Sequence, residues 1–172
     1  MGESIHEYTV NTEVSIGVND VNKFFPDTPA DYLVCVDLPS IFTPERQRTI
    51  IESVHKKFFT HLSEWSKLVQ RCQLFKLDKF PGCLEGLDTK DVVSYSNNSA
   101  FVATVIAYKM GATDIVLYGV DFVNHHHLSR TDVLKKQILD FKNLYDALQK
   151  RGVKLSVCSQ YSELSKCIPV GK

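Results

Sequence analysis

The polar side chains best placed for chemistry stand where apolar runs stop. Asn19 and Asp20 follow SIGV, Asp37 follows YLVCV, Asp121 follows IVLYGV, and Ser159 follows KLSVC. In open α/β sheets a ligand lies beyond the carboxyl ends of the strands, where helix N-termini also point. Asn98 and Ser99 open an apolar helix on that same edge, and free N–H groups at such a start favour phosphate or carboxylate. Caps and turn residues gather at strand ends in any case, so the set as a whole is more informative than any member. His125, His126 and His127 form the other conspicuous group. In an extended segment His125 and His127 point the same way and could chelate a metal. With no partner Cys, Glu or spaced His, the stronger use is as a general base or substrate contact. A solvated loop before a helix is the plain alternative. His6, His55 and His61 read as surface or helix-face residues.

The elements that must position these groups alternate in type. Glu13 to Val18 reads as a strand, Val21 to Phe25 as a short helical piece stopped by Pro26, and Tyr32 to Val36 as a second strand. Thr43 and Pro44 are an N-cap and a first helical residue. Ile50, Ile51, Val54, Phe58, Leu62, Trp65 and Leu68 then recur at helical spacing, predicting one bent helix or two as far as about Val69. Phe24, Phe25, Phe58, Phe59 and Trp65 are read as packing residues. Cys72 to Leu77 is a further strand, residues 80–91 a loop, and Val92-Val93 a short strand. Asn97, Asn98 and Ser99 are all good N-caps for a helix that is apolar on most faces and therefore packed on two sides. Gly111 stops it. Ile115 to Val120 is an unbroken apolar run, as in a parallel strand covered on both faces. An amphipathic helix follows from Ser129 to Gly152, then a strand from Lys154 to Cys158, and Ser159 caps a last short helix. Strands alternating with helices predict an α/β, three-layer Rossmann-like fold with a mainly parallel sheet, in one domain over residues 1–172.

Composition narrows the classes. Lys plus Arg and Asp plus Glu are both 20 among 172 residues, so formal charge is zero. This argues against nucleic-acid binding driven by bulk charge. The five cysteines are scattered without a CxxC pair, which reads as reduced thiols and a cytoplasmic protein. There is no signal-peptide pattern and no apolar run near ~18 residues, so no membrane partner is expected. The nucleotide fingerprints GxGxxG and GxxxxGK[ST] and the nucleophile motif GxSxG are missing.

The run NSAFVATVIAYKMGATDIVLYGVDF, Asn98 to Phe122, resembles the core helix–strand unit of the bacterial sialyltransferases of glycosyltransferase family 42. It is similar also to a related group of phage and bacterial proteins that includes pterin diphosphokinase-like members. The resemblance extends to SIGVNDVNKFFPDTPADYLVCVD upstream, and to the histidine loop and VCSQYSELSKCIP downstream. Residues 43–92 match least. It implies that Asn19 contacts a nucleotide-sugar, that Asn98 and Ser99 contact the nucleotide, and that His127 stands near the base that deprotonates an acceptor hydroxyl, with His125 beside it and no metal required. Asp37 and Asp121 complete the expected binding set. Met1-Gly2-Glu3-Ser4-Ile5 is similar only to the tail of the family's Gly-x-Gly-Pro-Ser phosphate loop, and the family's first strand is missing ahead of it. The expectation is therefore a glycosyltransferase-like protein that takes a small-molecule nucleotide or nucleotide-sugar, needs no cofactor, and is compatible with a homo-oligomer. Its rivals are a non-catalytic interaction protein on the same fold and a diphosphokinase-like enzyme using Asp37 and Asp121 for Mg²⁺.

Overall fold

The computed structural model describes residues 14–53, 56–122 and 131–171. They gather into two compact units, residues 14–95 and 96–171. Every strand pair in both is parallel, which is the α/β, Rossmann-like class the sequence predicts.

In residues 14–95 four strands lie side by side in chain order: β1 (Ile16–Val18), β2 (Tyr32–Val34), β3 (Lys57–Thr60) and β4 (Cys72–Leu74). Val18, Val34 and Phe59 stand level across the first three, so the residues just after them share one edge. A 3-10 turn, Val21–Phe24, follows β1. Helix α1 (Pro44–Glu52) connects β2 to β3, with Thr43 Oγ1 accepting from the Arg46 N–H at 3.4 Å. The core is Leu33, Val34, Cys35, Phe42, Ile50, Phe58 and Trp65. After β4 the chain passes Phe75 and enters a separate pair, β5 (Lys76–Leu77) with β6 (Val92–Val93). The intervening loop is organised by Asp78, whose Oδ2 accepts from the Gly86 N–H at 2.6 Å and from Ser94 Oγ at 3.1 Å. A Cβ on Gly86 would lie 2.8 Å from that carboxylate oxygen, so glycine is needed there.

The helix predicted to run on to Val69 does not. It ends at Glu52, Lys57–Thr60 is a buried central strand, and Ser63–Ser66 is a one-turn helix, α2. Phe58, Phe59 and Thr60 are all buried. A strand covered on both faces shows no alternation, and its two aromatics fell by chance on the helical spacing of Ile50 and Val54. The single strand expected over Cys72 to Leu77 is likewise two, paired to different neighbours.

In residues 96–171 the predicted punctuation is found in detail. Asn98 caps α3 (Ser99–Lys109), its Oδ1 accepting from the N–H groups of Ala100 (2.9 Å) and Phe101 (3.3 Å). Gly111, at φ 92°, ends α3 with Ala112 N–H donating to the Ala107 carbonyl and Gly111 N–H to that of Tyr108, a Schellman closure. Strand β7 (Asp114–Leu117) follows, then α4 (Thr131–Gln149), closed in the same way at Gly152, then β8 (Lys154–Val157) alongside β7. Phe101 to Ile106 of α3 are all buried; Phe141, Leu144 and Leu148 of α4 and Leu155, Val157, Leu164 and Ile168 complete this core. The cap of the last 3-10 turn, Glu163–Lys166, is Ser162, accepting from the Leu164 N–H at 3.2 Å. Ser159 instead accepts from the Tyr161 N–H, also at 3.2 Å.

Candidate functional site

The strand-end edge of residues 14–95 carries the best-formed polar group. Asn19 leaves β1 at φ 54°, a left-handed conformation that asparagine tolerates better than most residues. Its N–H still donates to the Val34 carbonyl at 2.9 Å, which fixes the side chain at the end of the ladder. Asn19 Nδ2 donates to Asp37 Oδ2 at 3.4 Å, while Asn19 Oδ1 is buried without a hydrogen-bond partner. Asp37 is held through its own backbone: Trp65 Nε1 donates to its carbonyl at 2.8 Å and Cys35 Sγ lies 3.6 Å from the same oxygen. Burial pushes the Cys35 thiol up to about 12, so it packs as a small apolar side chain and is no nucleophile.

Asp20 is differently occupied. Its two oxygens accept from Arg46 Nε and Nη2, each at 2.8 Å, and Lys23 Nζ stands 3.4 Å away. That bidentate pair ties α1 to the end of β1 and leaves Asp20 a positioning residue.

Sequence reasoning missed His61. It stands directly after β3, half-buried, with its ring 6.1 Å from that of Phe75 and its Nδ1 buried without a partner. Burial lowers its pKa against the opposing charges of Asp37 and Glu64, so the ring is neutral near pH 7. Reading it as a helix-face residue followed from extending α1 too far. Had Lys57–Thr60 been seen as a strand, His61 would have joined Asn19 and Asp37 among the strand-end residues.

In residues 96–171, Asn98 and Ser99 do open α3. Because Asn98 Oδ1 already accepts from two first-turn N–H groups, an anion there competes with the cap. Ser96, 3 % exposed, precedes them with its Oγ unpartnered. Asp121 lies beyond β7 but is only 4 % exposed. Its carbonyl accepts from the Glu163 N–H at 2.7 Å, and Ser162 Oγ donates to the neighbouring Val120 carbonyl at 2.9 Å. His125 and His127 lie outside the described residues, as does the start of the chain at Met1. Among the described residues no group of three His, Cys, Asp or Glu side chains is arranged to hold a metal ion, and no helix is long and apolar enough to cross a membrane.

The carboxylates set an acid limit. The Arg46 hydrogen bond holds Asp20 below its ordinary value. Burial works to raise Asp78, but bonds from Lys79, Gly86, Ser94 and Cys83 outweigh it and leave Asp78 lowered too. Groups depressed on folding stabilise the fold above their unfolded values, about 4, and that contribution is lost as pH falls through the folded values. Neutral His61 adds a loss of the same sign that begins below about pH 6.5. Asp140, raised by burial, acts oppositely. Urea midpoints taken from about pH 6 down to about pH 3 should therefore fall, with a shallower slope in Asp20→Asn. An equal slope in that variant would contradict the assignment.

Among solved structures, the fold is similar to that of the sialyltransferase CstII from Campylobacter jejuni. Its complex with the substrate analogue cytidine-5′-monophosphate is 15 % identical, with a TM-score of 0.57, covering 99 % of this chain and 82 % of that one. The complex with CMP-3FNeuAc gives 12 %, 0.58, 99 % and 83 %; that with a trisaccharide acceptor and CMP gives 12 %, 0.57, 99 % and 83 %. The likeness is one of fold. No protein-family model and no curated protein matches the chain.

Proposed function

We propose that this chain is a glycosyltransferase-like protein that binds a nucleotide or nucleotide-sugar and transfers the sugar to a hydroxyl acceptor. The observation that carries this reading is Asn19: a left-handed strand-end asparagine, bonded to Asp37, with a buried Oδ1 that has no partner. Buried acceptors are normally satisfied, so an unsatisfied one at the ligand edge of a sialyltransferase-like fold is explained by a donor arriving with a ligand. The cytidine ligands of the CstII complexes make a cytidine nucleotide the first to try.

On this reading Asn19 and Asp37 contact the donor. His127, with His125 beside it, takes the acceptor proton as the hydroxyl oxygen attacks the anomeric carbon and the nucleoside phosphate departs. No metal step is needed.

Thermal-shift measurements with CMP, UDP, GDP, ATP and their sugars, with and without Mg²⁺, test this. At a ligand concentration of about 100 times Kd the gain is about 2.7 kcal/mol, or a rise of several degrees for a chain of this size. A Mg²⁺-independent rise with one nucleotide or nucleotide-sugar is expected. A rise with ATP that requires Mg²⁺ would move the reading to a diphosphokinase-like enzyme, and no rise with any of them would leave an interaction protein.

A further inference from the structure

The edge that holds Asn19 carries a second buried polar atom without a partner, and the pair constrains what can bind. Asn19 follows β1, Asp37 lies three residues past Val34 of β2, and His61 follows β3 directly. These strands are adjacent, so Asp37 stands between the other two along the edge. Asn19 Oδ1 and His61 Nδ1 are the orphaned atoms, one on each side of a carboxylate.

The group is rich in acceptors and poor in cations. Asn19 Oδ1 only accepts, and so does the Asp37 carboxylate. A neutral imidazole offers one acceptor and one donor. Arg46 and Lys23, the cations at the end of β1, both pair with Asp20. Phosphate would meet a carboxylate here and, among the described cations at the end of β1, only the two already paired with Asp20. Vicinal hydroxyls, each a donor and an acceptor, fit all three groups.

We propose that His61 is a ligand-contacting residue, and that its Nδ1 and Asn19 Oδ1 form the two ends of a site that reads sugar hydroxyls across Asp37. This deepens the nucleotide-sugar reading and rests on it. The hydroxyls belong either to the ribose or to the transferred sugar, and the two sources are separable.

The test is titration calorimetry on the full chain with CMP, UMP, GMP and AMP, each beside its 2′,3′-dideoxy counterpart, and with CMP-3FNeuAc. His61→Phe keeps a ring against Phe75 and removes both nitrogens. It is expected to leave the melting temperature unchanged or higher, because it deletes an unpaired buried atom, and to weaken binding by about tenfold or more. His61→Asn, whose amide reaches the Nδ1 position, should recover part of that loss; a purely structural role would not give this pattern. If the ribose is read, the dideoxy nucleotides bind weakly and His61→Phe adds nothing further. If the transferred sugar is read, only CMP-3FNeuAc is affected. Should His61→Phe fail to fold, the wild-type imidazole ¹⁵N resonances decide, since contact shifts Nδ1 on ligand addition. Binding that His61→Phe leaves intact, or Nδ1 resonances unmoved by a bound ligand, overturns this inference and leaves the nucleotide-sugar reading standing. No binding by any probe brings down that reading, and this one with it.

Discussion

Trp65→Ala is expected to destabilise the protein by about 3–5 kcal/mol, the range for emptying a large aromatic site in a core. The side chain is fully buried, with its ring 5.4 Å from Phe58 and 6.0 Å from Phe42. It therefore joins β3, α2 and the segment ahead of α1 in one contact. Its second task is separable. Nε1 donates to the Asp37 carbonyl at 2.8 Å, so Trp65→Phe keeps most of the packing while depriving a buried acceptor. That change should cost about 1–3 kcal/mol. Because the lost bond holds the backbone of Asp37, Trp65→Phe should also weaken ligand binding. Urea unfolding checks the first quantity and calorimetry the second. A loss below about 1 kcal/mol for Trp65→Ala would mean the site collapses freely, contrary to the packing described.

The second large effect lies in residues 96–171. Phe141 of α4 is fully buried and meets two rings edge-on, Phe101 at 5.5 Å and 75° and Phe122 at 5.9 Å and 73°. Each such pair contributes about 0.5–1.5 kcal/mol beyond area burial, so Phe141→Ala should lose about 3–5 kcal/mol in total. Phe141→Leu keeps much of the volume but neither edge contact, and should lose about half as much. Phe122 holds a left-handed conformation, φ 57°, next to Asp121. The ring pair with Phe141 helps to hold that turn, so amide exchange at residues 119–122 should speed up in Phe141→Ala. Unchanged exchange there would separate the core from the strand-end turn.

How much of this was legible in the sequence depended on whether a signal was local. The closures at Gly111 and Gly152, the Asn98 cap and the Thr43-Pro44 start were readable, because each is set by a few adjacent residues. The parallel class was readable from YLVCV and IVLYGV, since strands covered on both faces are continuously apolar. Lys57–Thr60 was not. Four residues between β2 and β4 become a strand because their neighbours complete the ladder, and no periodicity in KFFT announces that. The error carried into the site. Asn19 and Asp37 stood out because their strands did, whereas His61 was hidden by a helix that ends at Glu52. Ser162 was missed as a cap for a smaller reason: Ser159 and Ser162 are both suitable by type, and the choice is made by the carbonyls of Val120 and Asp121.

The central claim is that the unpaired Asn19 Oδ1 accepts a hydrogen bond from a ligand. Asn19→Gly tests it most directly, because glycine keeps the left-handed backbone at that position without strain and removes only the side chain. Titration calorimetry of wild type and Asn19→Gly with CMP and CMP-3FNeuAc, without metal, should show binding to the wild type and a loss of about tenfold or more in the variant, with the fold intact. Equal affinity in the two proteins, or no binding to the wild type by either ligand, would contradict the account.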